Sequence, residues 1–328
     1  MTDRGPAVPA QPLEPSPGFN ARTNLWLFVA TVISVFLAGR LWAPPPASGG
    51  WIARWLSGWT FAVPLLAILV AHEGGHYVAS RFHRVPASLP YFIPLPLLSP
   101  FGTLGAVILM RGRIRSARAL LDIGASGPIA GMLVAVPLMV VGLSLSPVMP
   151  AAPSGFIQEG QSLLYLALKR LVLGDIPPGY DVMLHPTALA AWTGFFITFL
   201  NLLPFSQLDG GHVAYALLGR RHDAWSHRMW LVPVALLGYN LWTHGRFAVL
   251  ALLQGRAAMI TGDQWDRLLS STLLWVVLLL VMLLMRRRTG GLHPPVDETY
   301  LDPIRRRVGL GTLLMFVLLF MPSPWVAT

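Results

Sequence analysis

Long apolar runs alternate with short polar or proline-rich stretches along almost the whole chain. Residues 25–43, 59–80 and 119–145 are apolar over lengths close to or above the ~20 residues that cross a bilayer core as a helix. The run 187–203 resumes at 211–218 beyond Pro204, which must interrupt a helix because proline lacks the N–H donor and clashes with the preceding turn. Further runs follow at 230–253, 272–285 and 309–321. The first of these holds His244 and Arg246 and reads as one long helix or two partial ones. The pattern predicts an all-α polytopic membrane protein with about seven transmembrane helices, one of them broken.

Between the runs, residues 1–24 are rich in proline and polar side chains with no apolar period, which predicts a disordered tail. The polar leader is too long for a signal peptide, and "APPPASGG" offers no small-x-small cleavage site, so 25–43 reads as an uncleaved first span. Residues 84–118 hold too many prolines for a helix. Within them "GTLGAVILMRGRI" mixes β-branched residues with glycine, which predicts short strands or a membrane-associated hairpin, the alternative being a plain interfacial loop. In the loop 146–186, "SLLYLALKRLVLG" has the apolar spacing of a short helix lying on the membrane surface. No internal repeat supports an inverted-repeat transporter. The expected organisation is a tail at 1–24 and a membrane-embedded domain at 25–328, with its core at 58–220.

Composition agrees: 54% of residues are hydrophobic, only 12% are charged, and mean hydropathy is +0.59. A net charge of +10 raises the question of nucleic acid, but the arginines sit beside apolar runs and form no dense patch with interleaved aromatics. No nucleic-acid partner is expected; the lipid bilayer is. Six arginines fall between 81 and 118, and others at 220–228, 286–288 and 305–307. With seven spans, this distribution puts the N-terminus on the cytoplasmic side. The chain has no cysteine, so any metal must be held by His, Asp or Glu.

Candidate chemistry begins at "AHEGGHYVAS", inside the second span. His72 and His76 stand four residues apart, which on a helix sets both imidazoles on one face, able to grip a single ion. Glu73 neighbours that face and can reach a water on the metal. Such a string arises by chance in about one chain in 300 of this composition, and ionisable groups within a span are costly unless paired or functional. Two plainly packed helical histidines are therefore the weaker reading. A third ligand is needed, and only Asp122 and Asp209 among the acidic residues adjoin apolar runs. Asp122 follows Arg115 and Arg118 at the start of a span, where a structural ion pair suffices. Asp209 sits in "NLLPFSQLDGGH", where Pro204 breaks the helix and Gly210 and Gly211 let the backbone approach closely, so Asp209 is the expected third ligand. His212 either donates a hydrogen bond to Asp209 or the metal water, or caps the local turn. Asn201 either holds the substrate backbone and stabilises the oxyanion, or makes a helix–helix hydrogen bond. His83, His185, His222, His227, His244 and His293 lie in loops or at span ends and are expected to be solvated.

Together "HEGGH" and "NLLPFSQLDGGH" resemble the motifs of the site-2 protease family of intramembrane zinc metalloproteases, H-E-x-x-H and N-x-x-P-x-x-x-L-D-G, with Asn201, Pro204, Leu208, Asp209 and Gly210 matching position by position. The stretch "FGTLGAVILMRGRIRSARALLDIGASGPIAG" looks like the bacterial and plastid branch named for ethylene-dependent gravitropism deficiency, as does "GLHPPVDETYLDP". The resemblance implies one zinc ion held by His72, His76 and Asp209, with Glu73 as general base. It implies a substrate that is a transmembrane helix of another protein, partly unwound and paired to the strand-like segment. It also implies a multi-pass protein, expected in a bacterial inner membrane with the active site toward the cytoplasm. Two other readings compete: an inactive zinc-binding scaffold, which would have no need of Glu73, and a metal transporter, which should show several ligand clusters along a path.

Overall fold

The computed structural model describes residues 20–43, 50–110, 114–151, 157–226, 228–289 and 293–327. The expected tail lies, over 1–19, outside the described residues. Helix α1 (Ala21–Trp42) starts four residues before the apolar run, because the Asn20 side chain accepts a hydrogen bond from the Arg22 N–H and caps the helix there. A short α2 (Trp51–Leu56) leads into α3 (Trp59–Phe82), which carries Pro64. Proline leaves the carbonyl four residues earlier, that of Thr60, without its helical partner. The Thr187 hydroxyl donates to that oxygen at 2.9 Å, the usual way a neighbouring helix makes proline tolerable in an apolar bundle. Thr187→Val should therefore lower thermal stability in detergent by about 1 kcal/mol, while Thr187→Ser should restore it.

The proline-rich stretch after α3 forms β1 (Tyr91–Pro94) and β2 (Thr103–Val107), an antiparallel pair with an irregularity between Phe92 and Pro94. It runs along α1. Asn24 donates to the carbonyls of Leu89 and Pro90, Ser34 to that of Gly102, and the Trp42 indole to that of Pro100. Gly102 is required at the middle contact: its φ is +76°, and a Cβ there would fall 2.4 Å from the Ser34 carbonyl oxygen.

Helix α4 (Ala117–Ser144) is followed by β3 (Val148–Pro150), β4 (Ile157–Glu159), α5 (Leu163–Leu173) and β5 (Tyr180–Val182). Helices α6 (Pro186–Asn201) and α7 (Asp209–Leu218) are the two halves of the expected broken helix. Then come α8 (Arg220–Ser226), α9 (Leu231–Thr243), α10 (Arg246–Leu253), α11 (Gly262–Thr289), α12 (Pro303–Leu319) and β6 (Trp325–Ala327). Strand β3 pairs with β5, and β4 with β6, pairings the apolar pattern did not announce. Helix α5 does not merely rest on a surface: Tyr165 and Leu168 are buried, and the Tyr165 hydroxyl donates to Glu159 at 2.7 Å.

Among the described residues four helical stretches are long and apolar enough to cross a membrane: α1, α3, α4 and Gly262–Leu284 of α11. The other apolar runs yield shorter helices. Run 187–203 stops at Asn201, run 230–253 splits at His244–Gly245, and α12 spends its first turns on Arg305, Arg306 and Arg307. Conversely, α11 begins ten residues ahead of its apolar run, because the polar segment from Gly262 is also helical. Leucines and valines of α1 and α11, among them Leu25, Val29, Leu273 and Leu280, face outward, as a lipid-contacting surface does.

The core lies where α3, α4 and α6 meet, on Phe61, Leu65, Ile68, Met139, Phe195 and Phe199. Helix α12 is fastened to this core through Asp122. Its carboxylate accepts from Arg305 at 2.8–3.0 Å and lies 2.8 Å from His83 Nε2. By sequence, the expected partners of Asp122 are the neighbouring Arg115 and Arg118. Instead Arg118 lies over the Tyr300 ring, and the partner comes from far along the chain. Asp122→Asn should lower the thermal midpoint, at a cost of about 1–3 kcal/mol, with α12 the first element to gain hydrogen exchange.

Candidate metal centre

Helix α3 delivers His72 and His76 from one face, both buried in the bundle. Asp209 is the first residue of α7, where the helix N-terminus favours a carboxylate. The chain can turn there because two glycines let α7 start against the preceding loop. A Cβ on Gly210 would fall 1.9 Å from the Leu202 carbonyl oxygen, and one on Gly211 2.4 Å from that of Ser206. Pro204 lies in the turn, its carbonyl accepting from His222 Nε2 at 3.1 Å.

These elements bring three donor atoms together. His72 Nε2 and His76 Nε2 each lie 3.2 Å from Asp209 Oδ2, and 3.2 Å from one another. Ligands ~2.0–2.1 Å from a tetrahedral zinc ion stand ~3.3 Å apart, so the triangle has the size of one face of such a coordination shell. The donor set, two imidazoles and a carboxylate, suits that ion. His76 is also oriented for it: its Nδ1–H donates to the Ile123 carbonyl at 2.7 Å, which leaves the Nε2 lone pair pointing into the triangle. Among the described residues His72, His76 and Asp209 are the single group of this kind.

Helix α4 makes room for the rings with three glycines on one face. A Cβ on Gly127 would lie 2.1 Å from His76 Nε2, one on Gly131 3.2 Å from His72 Nδ1, and one on Gly124 2.8 Å from the His212 Cβ. Gly127 and Gly131 are four apart, the spacing of His72 and His76. On α3 itself Gly75 presses on the Ser126 backbone, which sets the close crossing of the two helices. In the sequence this glycine face shows only as the three- and four-residue spacing of glycines in "GASGPIAG".

Glu73 is buried, and together with His72, His76, Asn201, Asp209 and His212 it lines a cavity of about 140 Å³. Asn201 closes α6 with its Nδ2 3.2 Å from His72 Nε2 on α3, a helix–helix hydrogen bond that also brings the amide to the triangle. His212 bonds neither Asp209 nor a turn: its Nδ1 lies 2.7 Å from Nε2 of His293. His293, expected in solvent, is buried. His83 and His222 likewise have partners inside the fold, and His227 lies outside the described residues. The same cavity is lined by Ala106 and Val107 of β2 and by Ile108 just beyond it. Strand β2 is bonded to β1 along one edge, and no strand covers the other among the described residues.

A cluster of nitrogen and oxygen donors beside a buried glutamate, within a bundle of apolar helices, has the make-up of a metal-hydrolase site. Residues 60–237 match peptidase family M50, and the chain belongs to that family. It is 30% identical over 184 residues to the probable chloroplastic zinc metalloprotease EGY2 of Oryza sativa subsp. indica, a stretch covering 55% of this chain and 32% of the rice protein. It is 33% identical over 165 residues to the probable chloroplastic zinc metalloprotease EGY1 of Arabidopsis thaliana, covering 48% of this chain and 29% of that one. The match thus spans about a third of the length of these curated relatives. No solved structure matches the chain. The long apolar helices fit an integral membrane protein, but the chloroplastic relatives argue against the bacterial inner membrane expected from the sequence.

Proposed function

We propose that the protein is an intramembrane zinc endopeptidase that hydrolyses a peptide bond within or beside the transmembrane helix of another membrane protein. The observation that carries this reading is the triangle of His72, His76 and Asp209 donors at 3.2 Å, with Glu73 beside it in the same cavity. One zinc ion per chain, when bound there, supplies a nucleophilic water near neutral pH and a polarised scissile carbonyl. Glu73 takes the proton of the attacking water and passes it to the departing amine nitrogen. The Asn201 amide hydrogens stabilise the oxygen on which negative charge develops. The open edge of β2 receives the substrate as an added strand, since a peptide bond inside a helix is shielded by its own side chains and hydrogen bonds. Pro204 and Gly210 keep the α6–α7 break in which Asp209 is presented.

The arginine-rich segment that follows the C-terminal end of α3 supports placing the N-terminus and the site on the same side of the membrane, the side that retains positive charge. Helix α6 with α7, α9 with α10, and α12 then make the crossings beyond the four long helices, about seven in all. The deciding measurement is zinc stoichiometry paired with cleavage. One tightly held ion per chain together with proteolysis of a single-span protein in vesicles is the expected result. Zinc flux through the same vesicles without proteolysis would identify a transporter, and bound zinc with neither activity a scaffold.

A further inference from the structure

We propose that His293 is a positioning residue that holds the His212 ring in the tautomer protonated at Nδ1, so that His212 Nε2 meets the cavity as an acceptor for a backbone N–H of the bound substrate. The proton on each ring follows from a group that can only accept. His293 Nδ1 lies 2.7 Å from the Pro294 carbonyl oxygen, so Nδ1 carries the hydrogen and Nε2 the lone pair. That lone pair faces His212 Nδ1 at 2.7 Å, so His212 must donate there. The opposite assignment would set a lone pair of His293 against the Pro294 oxygen. Burial holds His293 below the ordinary histidine value, which keeps the ring neutral and able to accept. Tyr215, three residues after His212 on α7, stacks on His293 with ring centroids 4.3 Å apart and planes 22° apart, which fixes the plane of the acceptor.

His212 lines the cavity, and its other nitrogen, Nε2, has no hydrogen-bond partner among the described residues. A neutral His212 in this tautomer has no N–H to offer Asp209 or an oxyanion. What it can do is accept. An extended peptide lying on β2 turns alternate backbone groups away from that strand, and in an apolar bundle those groups need partners from the protein. His212, which lines the same cavity as Ala106 and Val107, meets one such N–H.

The substrate half of this proposal rests on the peptidase reading; the tautomer does not. The test is nitrogen-15 NMR of the full-length, zinc-loaded protein in detergent micelles, with the His212 resonances assigned by their loss in His212→Gln. The expected spectrum has a protonated Nδ1 and an unprotonated Nε2. His293→Phe keeps a ring against Tyr215 but offers no acceptor; it should move His212 toward the Nε2-protonated form and raise KM roughly tenfold, with zinc still at one per chain. His293→Gln, whose side-chain carbonyl can take the place of Nε2, should restore both. An Nε2-protonated His212 in the native protein, or an unchanged tautomer in His293→Phe, would overturn the proposal. A shifted tautomer with unchanged KM would overturn the substrate contact. Native-like cleavage by Glu73→Gln would instead count against the peptidase reading, and the NMR result would stand apart from it.

Discussion

Glu73→Gln should hold zinc at one ion per chain and lose cleavage by a factor of roughly 10² to 10⁴, the range a positioned general base contributes. The two effects separate because Glu73 is not one of the three converging donors, while it shares their cavity. Glutamine keeps the size and much of the polarity of the side chain, so the fold and the ion should survive. What it lacks is the carboxylate that accepts a proton from water. The measurement needs no known substrate: membrane proteomes from cells carrying the native protein or the variant are compared. An intact single-span protein should accumulate only with the variant. Equal processing by both would remove Glu73 from the chemistry.

The second large effect is expected at a residue with no functional group. Gly127→Ala adds one carbon, which would lie 2.1 Å from His76 Nε2 and 2.4 Å from both ring carbons flanking it. Nothing flexible intervenes, so either the His76 ring leaves the triangle or α3 and α4 separate. Zinc affinity should fall by at least the tenfold to hundredfold seen when a supporting shell is disturbed, and cleavage with it. Gly131→Ala, whose added carbon meets His72 at 3.2 Å, should cost less. Gly74→Ala meets nothing within 4 Å and should keep the ion. Zinc titration of the three variants in detergent supplies the ranking; equal affinity in all three would mean that the α4 face does not shape the site.

The parts of this arrangement that could be read from sequence are those that physics makes local. The i, i+4 histidines of α3, the break between Asn201 and Asp209, and the long helices α1, α3 and α4 follow from helical spacing, proline and glycine chemistry, and apolar length. The parts that could not be read depend on distant partners. Asp122 was seen as an ion-pair residue, but Arg305 is 183 positions away, and its own near neighbours gave the wrong partners. His293 lies 81 positions from His212, in a stretch whose polarity looked like solvent exposure. Only four of the apolar runs become helices long enough to cross alone, because average apolarity conceals where a run is cut, as at His244–Gly245. The three-residue strands β3 to β6 hold too little pattern to stand out from loop sequence, and pairing rather than propensity creates them.

The gap of 133 residues between His76 and Asp209 also has a meaning in time. At ~5–20 residues per second, synthesis needs roughly 7 to 27 seconds to bring out the carboxylate after the imidazoles. A nascent chain therefore holds an incomplete donor set until the second half of its bundle has been made.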